Sequence, residues 1–214
     1  MLLYKRDFIE FALNHQALQF GEFTLKSGRI SPYFFNAGKF QTGNALLKLG
    51  QFYAKAIQEA NLSFDMIFGP AYKGIPLVCT TAISLSNLYQ QNFPYAFDRK
   101  ETKMHGDKGN IVGAKLSGNV LIVDDVITAG TAINYALDLI HQASAKACGV
   151  MLMLDRQEKG STEQSAIKEI SDKNALSIHS IITLDDLLNY LKSHNTNLQS
   201  YIPAIVAYRE AYGC

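Results

Sequence analysis

The chain has 214 residues, 48% of them hydrophobic, and a formal net charge of +1. This length and apolar content suit one globular domain with a sizeable core, and so small a charge leaves no general footprint for a polyanion such as DNA. No apolar run reaches the roughly 18 residues of a membrane span, and the opening "MLLYKRDFIE" lacks the long apolar segment of a secretory signal. The cytosol is the expected compartment, with no nucleic acid or membrane as partner. Cys79, Cys148 and Cys214 are far apart and form no CxxC pair, and the histidines form no HExxH, so neither a disulfide framework nor a zinc site is expected.

In chain order, "YKRDFIEFALNH" places Tyr4, Phe8, Phe11 and Ala12 on one helical face. "FTLKSGRISPYFFNAG" mixes β-favouring residues with Gly28 and Pro32 and reads as short strands joined by turns. From Thr42 to Ala60 the apolar residues Leu46, Leu49, Tyr53 and Ile57 repeat at helical period. "DMIFGP" is then a short buried strand closed by Gly69 and Pro70. Helical spacing at Val78, Ala82, Leu85 and Tyr89 precedes strand-like "PYAF". "NVLIV" is followed by a helix with Ile133, Ala136, Leu137 and Ile140 on one face. Strand-like "CGVMLML", a polar helix over Glu163–Ser171, "LSIHSII" and C-terminal helices complete the pattern. Strands that read as continuous apolar runs and alternate with helices predict an α/β fold, its parallel sheet covered on both faces.

The stretch "VLIVDDVITAGTA" sets Asp124 and Asp125 directly after a strand. In an open parallel sheet, ligands bind beyond the carboxyl ends of the strands, so the two acids lie where a site belongs. The following "TAGTA" leads into a helix starting near Ala129. Free backbone N–H groups and the positive end of the helix dipole can receive a phosphate there, with Gly130 allowing close approach and Thr128 and Thr131 adding hydroxyls. Vicinal ribose hydroxyls, with or without magnesium, would satisfy the paired acids. A helix cap at Asp124 with Asp125 in solvent would account for one acid and not for two.

This stretch resembles the phosphoribosyl pyrophosphate motif of the type I phosphoribosyltransferases. "FTLKSGRISPYFFNAG", "FGPAYKGIP", "DRKETKMHGDKGN" and "MLDRQEKG" are similar, in order and spacing, to segments of the orotate phosphoribosyltransferase family, so the likeness spans essentially the whole chain. Met104 departs from the acidic residue usual in bacterial members. The resemblance implies one domain over residues 1–214: a central parallel sheet flanked by helices, with a small hood subdomain that includes the N-terminal segment. It implies transfer of phosphoribose to orotate, with magnesium held mainly through the substrate's diphosphate and ribose.

The residues it assigns to phosphoribosyl pyrophosphate are Lys26, Tyr72, Lys73, Arg99, Lys100, Lys103, His105, Asp124, Asp125, Val126, Ile127, Thr128, Ala129, Gly130, Thr131 and Ala132. Lys103, Asp124 and Asp125 are the catalytic candidates. Lys26, Phe34, Phe35, Thr128 and Arg156 are assigned to orotate, whose carboxylate would give Arg156 a planar partner. The resemblance further implies a cis Ala71–Tyr72 peptide and a homodimer with sites shared across the interface. Read without it, Lys73 is also compatible with an exposed turn lysine, and "RKETKMHGDKGN" with a solvated loop. Phe34 and Phe35 are compatible with core residues, and Lys26 and Arg156 with surface ion pairs. Beside a diphosphate site the basic run suits a lid instead. A purine phosphoribosyltransferase would share the phosphate half of the site but would not require Arg156 or Lys26. A regulator that senses phosphoribosyl pyrophosphate would need a DNA-binding module for which there is no length or charge excess.

Overall fold

The computed structural model describes all residues except 26, 104–108, 128–129, 161–163 and 194–196. At 100–103 and 109 it describes the backbone alone. Helix α1 (Leu3–Asn14) turns Phe8, Ile9, Phe11 and Ala12 inward, the face marked by the sequence spacing. Strands β1 (Leu18–Thr24) and β2 (Ile30–Phe35) form an antiparallel hairpin. A 3-10 turn at Ala37–Lys39 leads to Thr42, whose side-chain oxygen accepts from the Ala45 N–H at 3.2 Å and so starts α2 (Gly43–Glu59). The chain then alternates through β3 (Met66–Gly69), α3 (Gly74–Tyr89), β4 (Tyr95–Lys103), β5 (Gly109–Gly113), β6 (Asn119–Val123) and α4 (Thr131–Gln142). It continues with β7 (Lys146–Asp155), α5 (Ala166–Asn174), β8 (Ser177–Thr183), α6 (Leu184–Ser193), a 3-10 turn at Asn197–Tyr201 and α7 (Ile202–Tyr212).

Six strands form one sheet in the order β5-β4-β3-β6-β7-β8, parallel throughout except for β5 against β4. Its strands bury alternate residues on opposite faces. Ile67, Leu121, Val123, Met151 and Met153 pack into the core that also receives side chains from α1, α2, α3 and α6. Met66, Phe68, Val120, Ile122, Val150 and Leu152 pack on the other face with Ile133, Ala136 and Ile140 of α4 and Ile170 of α5. Because both faces are covered, the strands carry the unbroken apolar runs seen in the sequence. The hairpin is not a separate body. Leu18, Tyr33 and Phe35 enter the first core, where Phe8 lies 6.4 Å from Phe35 and 5.2 Å from Phe52 between ring centroids.

Three local readings shift. Strand β4 runs six residues beyond "PYAF", because β5, which the sequence pattern does not reveal, returns beside it, pairing through Asp98 and, after a shift of register, again at Lys103–Gly109. Helix α5 begins at Ala166, three residues past the predicted start, where the Ser165 hydroxyl accepts from the Lys168 N–H at 2.9 Å. Helix α4 begins at Thr131, since Gly130 in the left-handed region (φ 71°) cannot belong to it. No helix among the described residues is long and apolar enough to cross a membrane.

Candidate active site

From β3 the chain moves outward to β4 on one side and then to β6 on the other, so the sheet's strand order reverses between β3 and β6. A crevice forms outside the strand ends at such a point, because the connections leave in opposite directions. Four of the predicted residues lie at these strand ends. Lys73 follows β3, Asp124 and Asp125 follow β6, and Arg156 follows β7, on adjacent strands of the sheet.

The two acids are fixed by the sheet itself. The β6–β7 ladder continues past Val123: the Asp124 N–H donates to Met151 O at 3.1 Å, and the Met153 N–H donates to Asp125 O at 2.8 Å. Tyr53, fully buried on α2, donates its hydroxyl to Asp124 O at 2.7 Å. Both carboxylates are buried. Asp124 Oδ1 accepts from the Asp125 N–H at 2.9 Å, and Asp125 Oδ1 accepts from the Val126 N–H at 2.8 Å. Lys73 Nζ reaches Asp125 Oδ2 at 2.5 Å from a side chain that is 57% exposed, so the cation also faces the solvent side of the crevice. Burial, and then repulsion from Asp125, push the Asp124 carboxyl up to about 7, against the lowering effects of the Asp125 N–H and Lys73.

Lys73 is delivered by a compact turn. A Cβ on Gly69 would collide with the Gly74 carbonyl, and one on Gly74 would lie 2.7 Å from Gly69 C and Pro70 Cδ, so only glycines let α3 start on top of β3. The Ala71–Tyr72 peptide is cis, as the resemblance implies. The turn is also tied to β4, since Asp98 Oδ1 accepts from the Ala71 N–H at 2.6 Å. On the β6 side, Gly130 caps α4 without a side chain. The first N–H groups of the helix, at Thr131 and Ala132, have no partner within the helix. Both residues are exposed, and the helix starts shortly after the acids, on the connection that leaves the end of β6.

Val126 and Ile127 pack their side chains on opposite cores, and the Val126 N–H is engaged by Asp125 Oδ1. Tyr72 is exposed at the rim. Arg99 and the backbones of Lys100 and Lys103 belong to β4, so this part of the basic run is an antiparallel ribbon. Phe35 is a core residue, whereas Phe34 is half-buried and stacks on Phe23 at 5.5 Å. Arg156 is largely buried among Ser31, Tyr33 and Glu158. Lys26, Met104, His105, Thr128 and Ala129 lie outside the described residues, as do the side chains of Lys100 and Lys103.

Comparison with known proteins agrees with this geometry. The model of the phosphoribosyl transferase domain matches residues 38–189. Over 98% of this chain and 95% of the relative, the sequence is 54% identical to the orotate phosphoribosyltransferase of Chromohalobacter salexigens. The chain belongs to the orotate phosphoribosyltransferases. The crystal structure of the orotate phosphoribosyltransferase from Francisella tularensis superposes with a TM-score of 0.88 at 44% identity, covering 97% of this chain and all of that one. At 19% identity and a TM-score of 0.63, the Mycobacterium tuberculosis orotate phosphoribosyltransferase in complex with phosphoribosyl pyrophosphate shares the fold over 86% of this chain and 98% of its own. The type I phosphoribosyltransferase architecture expected from the sequence is thus the observed one.

Three residues at this orotate phosphoribosyltransferase site escape a reading of the sequence. Tyr53 looks like any core position of α2. Asp98 could have been noticed as an acid directly after apolar "YAF". Glu158 stands two residues beyond Arg156, a spacing with no meaning until the chain turns back on itself.

Proposed function

We infer that the chain transfers phosphoribose from phosphoribosyl pyrophosphate to orotate, giving orotidine 5′-phosphate and diphosphate in pyrimidine nucleotide synthesis. The observation that carries the reading is the convergence, at the sheet's switch point, of an exposed lysine, two buried acids and an uncapped helix end. The 5′-phosphate sits against the N–H groups at the start of α4, with Gly130, Thr131 and Ala132 close to it, and the ribose hydroxyls donate to Asp124 and Asp125. The diphosphate lies toward Tyr72, Lys73 and Arg99. As the orotate nitrogen attacks the anomeric carbon, the bond to the diphosphate oxygen breaks. Positive charge grows on the ribose beside the acids, and negative charge grows beside the cations. The basic run, Arg99 through His105, supplies further cations, with Lys103 the most sensitive of them. On the other side of the site, Phe34, Phe35, Lys26, Thr128 and Arg156 hold the base.

Magnesium is the proposed cofactor. Among the described residues no group of three or more His, Cys, Asp or Glu is placed to hold a metal ion. The carboxylates of Asp124 and Asp125 are hard oxygen donors, which fit a magnesium ion whose other ligands come from the substrate's ribose and diphosphate. Bound there, the ion would neutralise the departing diphosphate.

The core shared by hairpin and sheet supports a single domain over residues 1–214. A homodimer with shared sites is supported by exposed apolar residues on α2, on α3 and in the turn that carries Lys73. Gly50 packs on Thr80 and Ser84 where α2 meets α3, and Leu47 and Ile83, one helical turn from that contact, are exposed, as is Tyr72 at the rim. The compartment proposed is the cytoplasm.

The test follows the loss of orotate absorbance with purified protein, magnesium and phosphoribosyl pyrophosphate, with adenine and hypoxanthine in parallel and a chelator control. Turnover of orotate alone is expected, and turnover of a purine would refute the reading. Arg156→Ala should raise KM for orotate roughly tenfold to a hundredfold while leaving that for phosphoribosyl pyrophosphate nearly unchanged, because a charge-assisted pair is worth about 1.5–3 kcal/mol.

A further inference from the structure

The guanidinium of Arg156 is held on more than one side before any substrate is considered. Glu158 Oε1 accepts from Nε at 2.7 Å and lies 2.6 Å from Nη2, with 14% of each side chain exposed. Nη2 also donates to Ser31 Oγ at 3.0 Å. The guanidinium carbon stands 4.2 Å from the centroid of the Tyr33 ring, which fixes the plane. Ser31 is fully buried, and its hydroxyl donates to Tyr33 O at 2.7 Å. Its one proton is therefore committed to β2, and its oxygen accepts from Arg156 Nη2 and, at 3.4 Å, from the Tyr33 N–H.

Glu158 is in turn held from several directions. Its Oε2 lies 3.8 Å from Arg29 Nη1, and that nitrogen donates to Lys159 O at 3.1 Å. The Tyr33 hydroxyl approaches Oε1 at 3.4 Å. Its backbone forms an antiparallel bridge with Gly213, next to the bond from the Lys159 N–H to Tyr212 O at 2.8 Å. The segment after β7 is thus braced against α7, and α7 against β2 through Tyr208 and Tyr33, whose rings meet edge to face at 6.4 Å.

We propose that Glu158, acting with Ser31, is a positioning residue of the base subsite, holding the Nε–Nη2 side of Arg156 so that its Nη1 end is presented to the carboxylate of the pyrimidine. Ser31 ties Nη2 to β2, the strand that carries Phe34 and Phe35, and so sets the distance between the two walls of the subsite. The acid does not compete with the substrate, because the two approach different edges of one planar fork. An arginine ordered beforehand also spares the substrate the cost of ordering it. The proposal rests on the assignment of Arg156 to orotate.

Steady-state kinetics on the purified chain test it, with Glu158→Ala, Glu158→Gln, Ser31→Ala and Arg156→Ala assayed side by side. Glu158→Ala should raise KM for orotate about tenfold or more, and KM for phosphoribosyl pyrophosphate by less than about twofold. Glu158→Gln, whose amide oxygen still accepts from Nε, should recover most of the loss, and Ser31→Ala should fall between. If Glu158→Ala is too unstable to purify, the Gln and Ser31 variants carry the comparison. Their readout is the stabilisation against heating by orotate, which Ser31→Ala should weaken and Glu158→Gln should largely keep, compared with that by phosphoribosyl pyrophosphate, which neither should change. An unchanged KM for orotate, or equal losses for both substrates without recovery by Gln, would overturn the positioning role while the function stands. An Arg156→Ala protein with normal KM for orotate would remove the assignment beneath it and overturn both.

Discussion

Between Asp124 and the water outside there is little room for a charge. Burial and the adjacent Asp125 carboxylate raise its pKa from 3.8 to about 7, so the folded protein binds a proton there more tightly than the unfolded chain does. The sign follows directly. The group's contribution to stability is fully present below about pH 4 and is lost as pH rises toward 7. Asp124→Asn keeps an oxygen to accept the Asp125 N–H and removes the titration. Its melting temperature relative to the parent should climb between pH 4 and 7 and level off above, while catalysis falls steeply because the ribose loses an anion. Melting curves at pH 5, 6, 7 and 8 check this, and a difference that is flat with pH would contradict it. The adjacency of the two acids was legible in the sequence because they are chain neighbours. Their partners were not: Lys73 and Tyr53 lie more than fifty residues away and reach them only through the packing of α2 and α3 against the sheet.

At the level of elements, the junction between β6 and α4 decides whether a phosphate can approach. Gly130 adopts a φ of 71°, and a Cβ there would meet Ile170 Cδ1 at 2.5 Å. That methyl is the far end of a flexible side chain, so the backbone conformation sets most of the cost. Gly130→Ala should destabilise the fold by about 1–2 kcal/mol in a urea titration and raise KM for phosphoribosyl pyrophosphate more than for orotate. Ile170→Val added to it should recover little of the loss. A fully restored double variant would show that the contact, and not the left-handed backbone, was the constraint. Helical periods read directly from sequence at α1, α2 and α4 because each buries a single face. β5 was illegible, since "GNIVG" is short, lies at a sheet edge and forms only as the return of β4.

For the whole molecule, the strand order makes the crevice and the proposed dimer completes it. The lid is expected to work in trans, with Arg99, Lys103 and His105 serving the acids and Lys73 of the second copy. Lys103→Ala and Asp125→Asn proteins, each nearly inactive alone, would then be unfolded and refolded together in equal amounts. About half the dimers would be mixed, each with one doubly damaged and one intact site, so about a quarter of the parental activity should return. Activity that stays at the level of the two single variants would mean that the ribbon serves its own subunit.

By itself the sequence determined the local chemistry: a strand that ends in two acids, a glycine-opened helix start, a cation after a buried strand, and the helical and strand periods around them. These are properties of neighbouring residues, and alternation of strand and helix is enough to imply a sheet whose ends gather ligands. Which strands became neighbours was decided only by the tertiary structure, because pairing depends on where each helix buries its apolar face and not on distance along the chain. The order β4-β3-β6-β7 set Lys73 against Asp125. The bridge between Glu158 and Gly213 and the bond to Ser31, contacts between residues far apart in sequence, gave Arg156 its fixed surroundings.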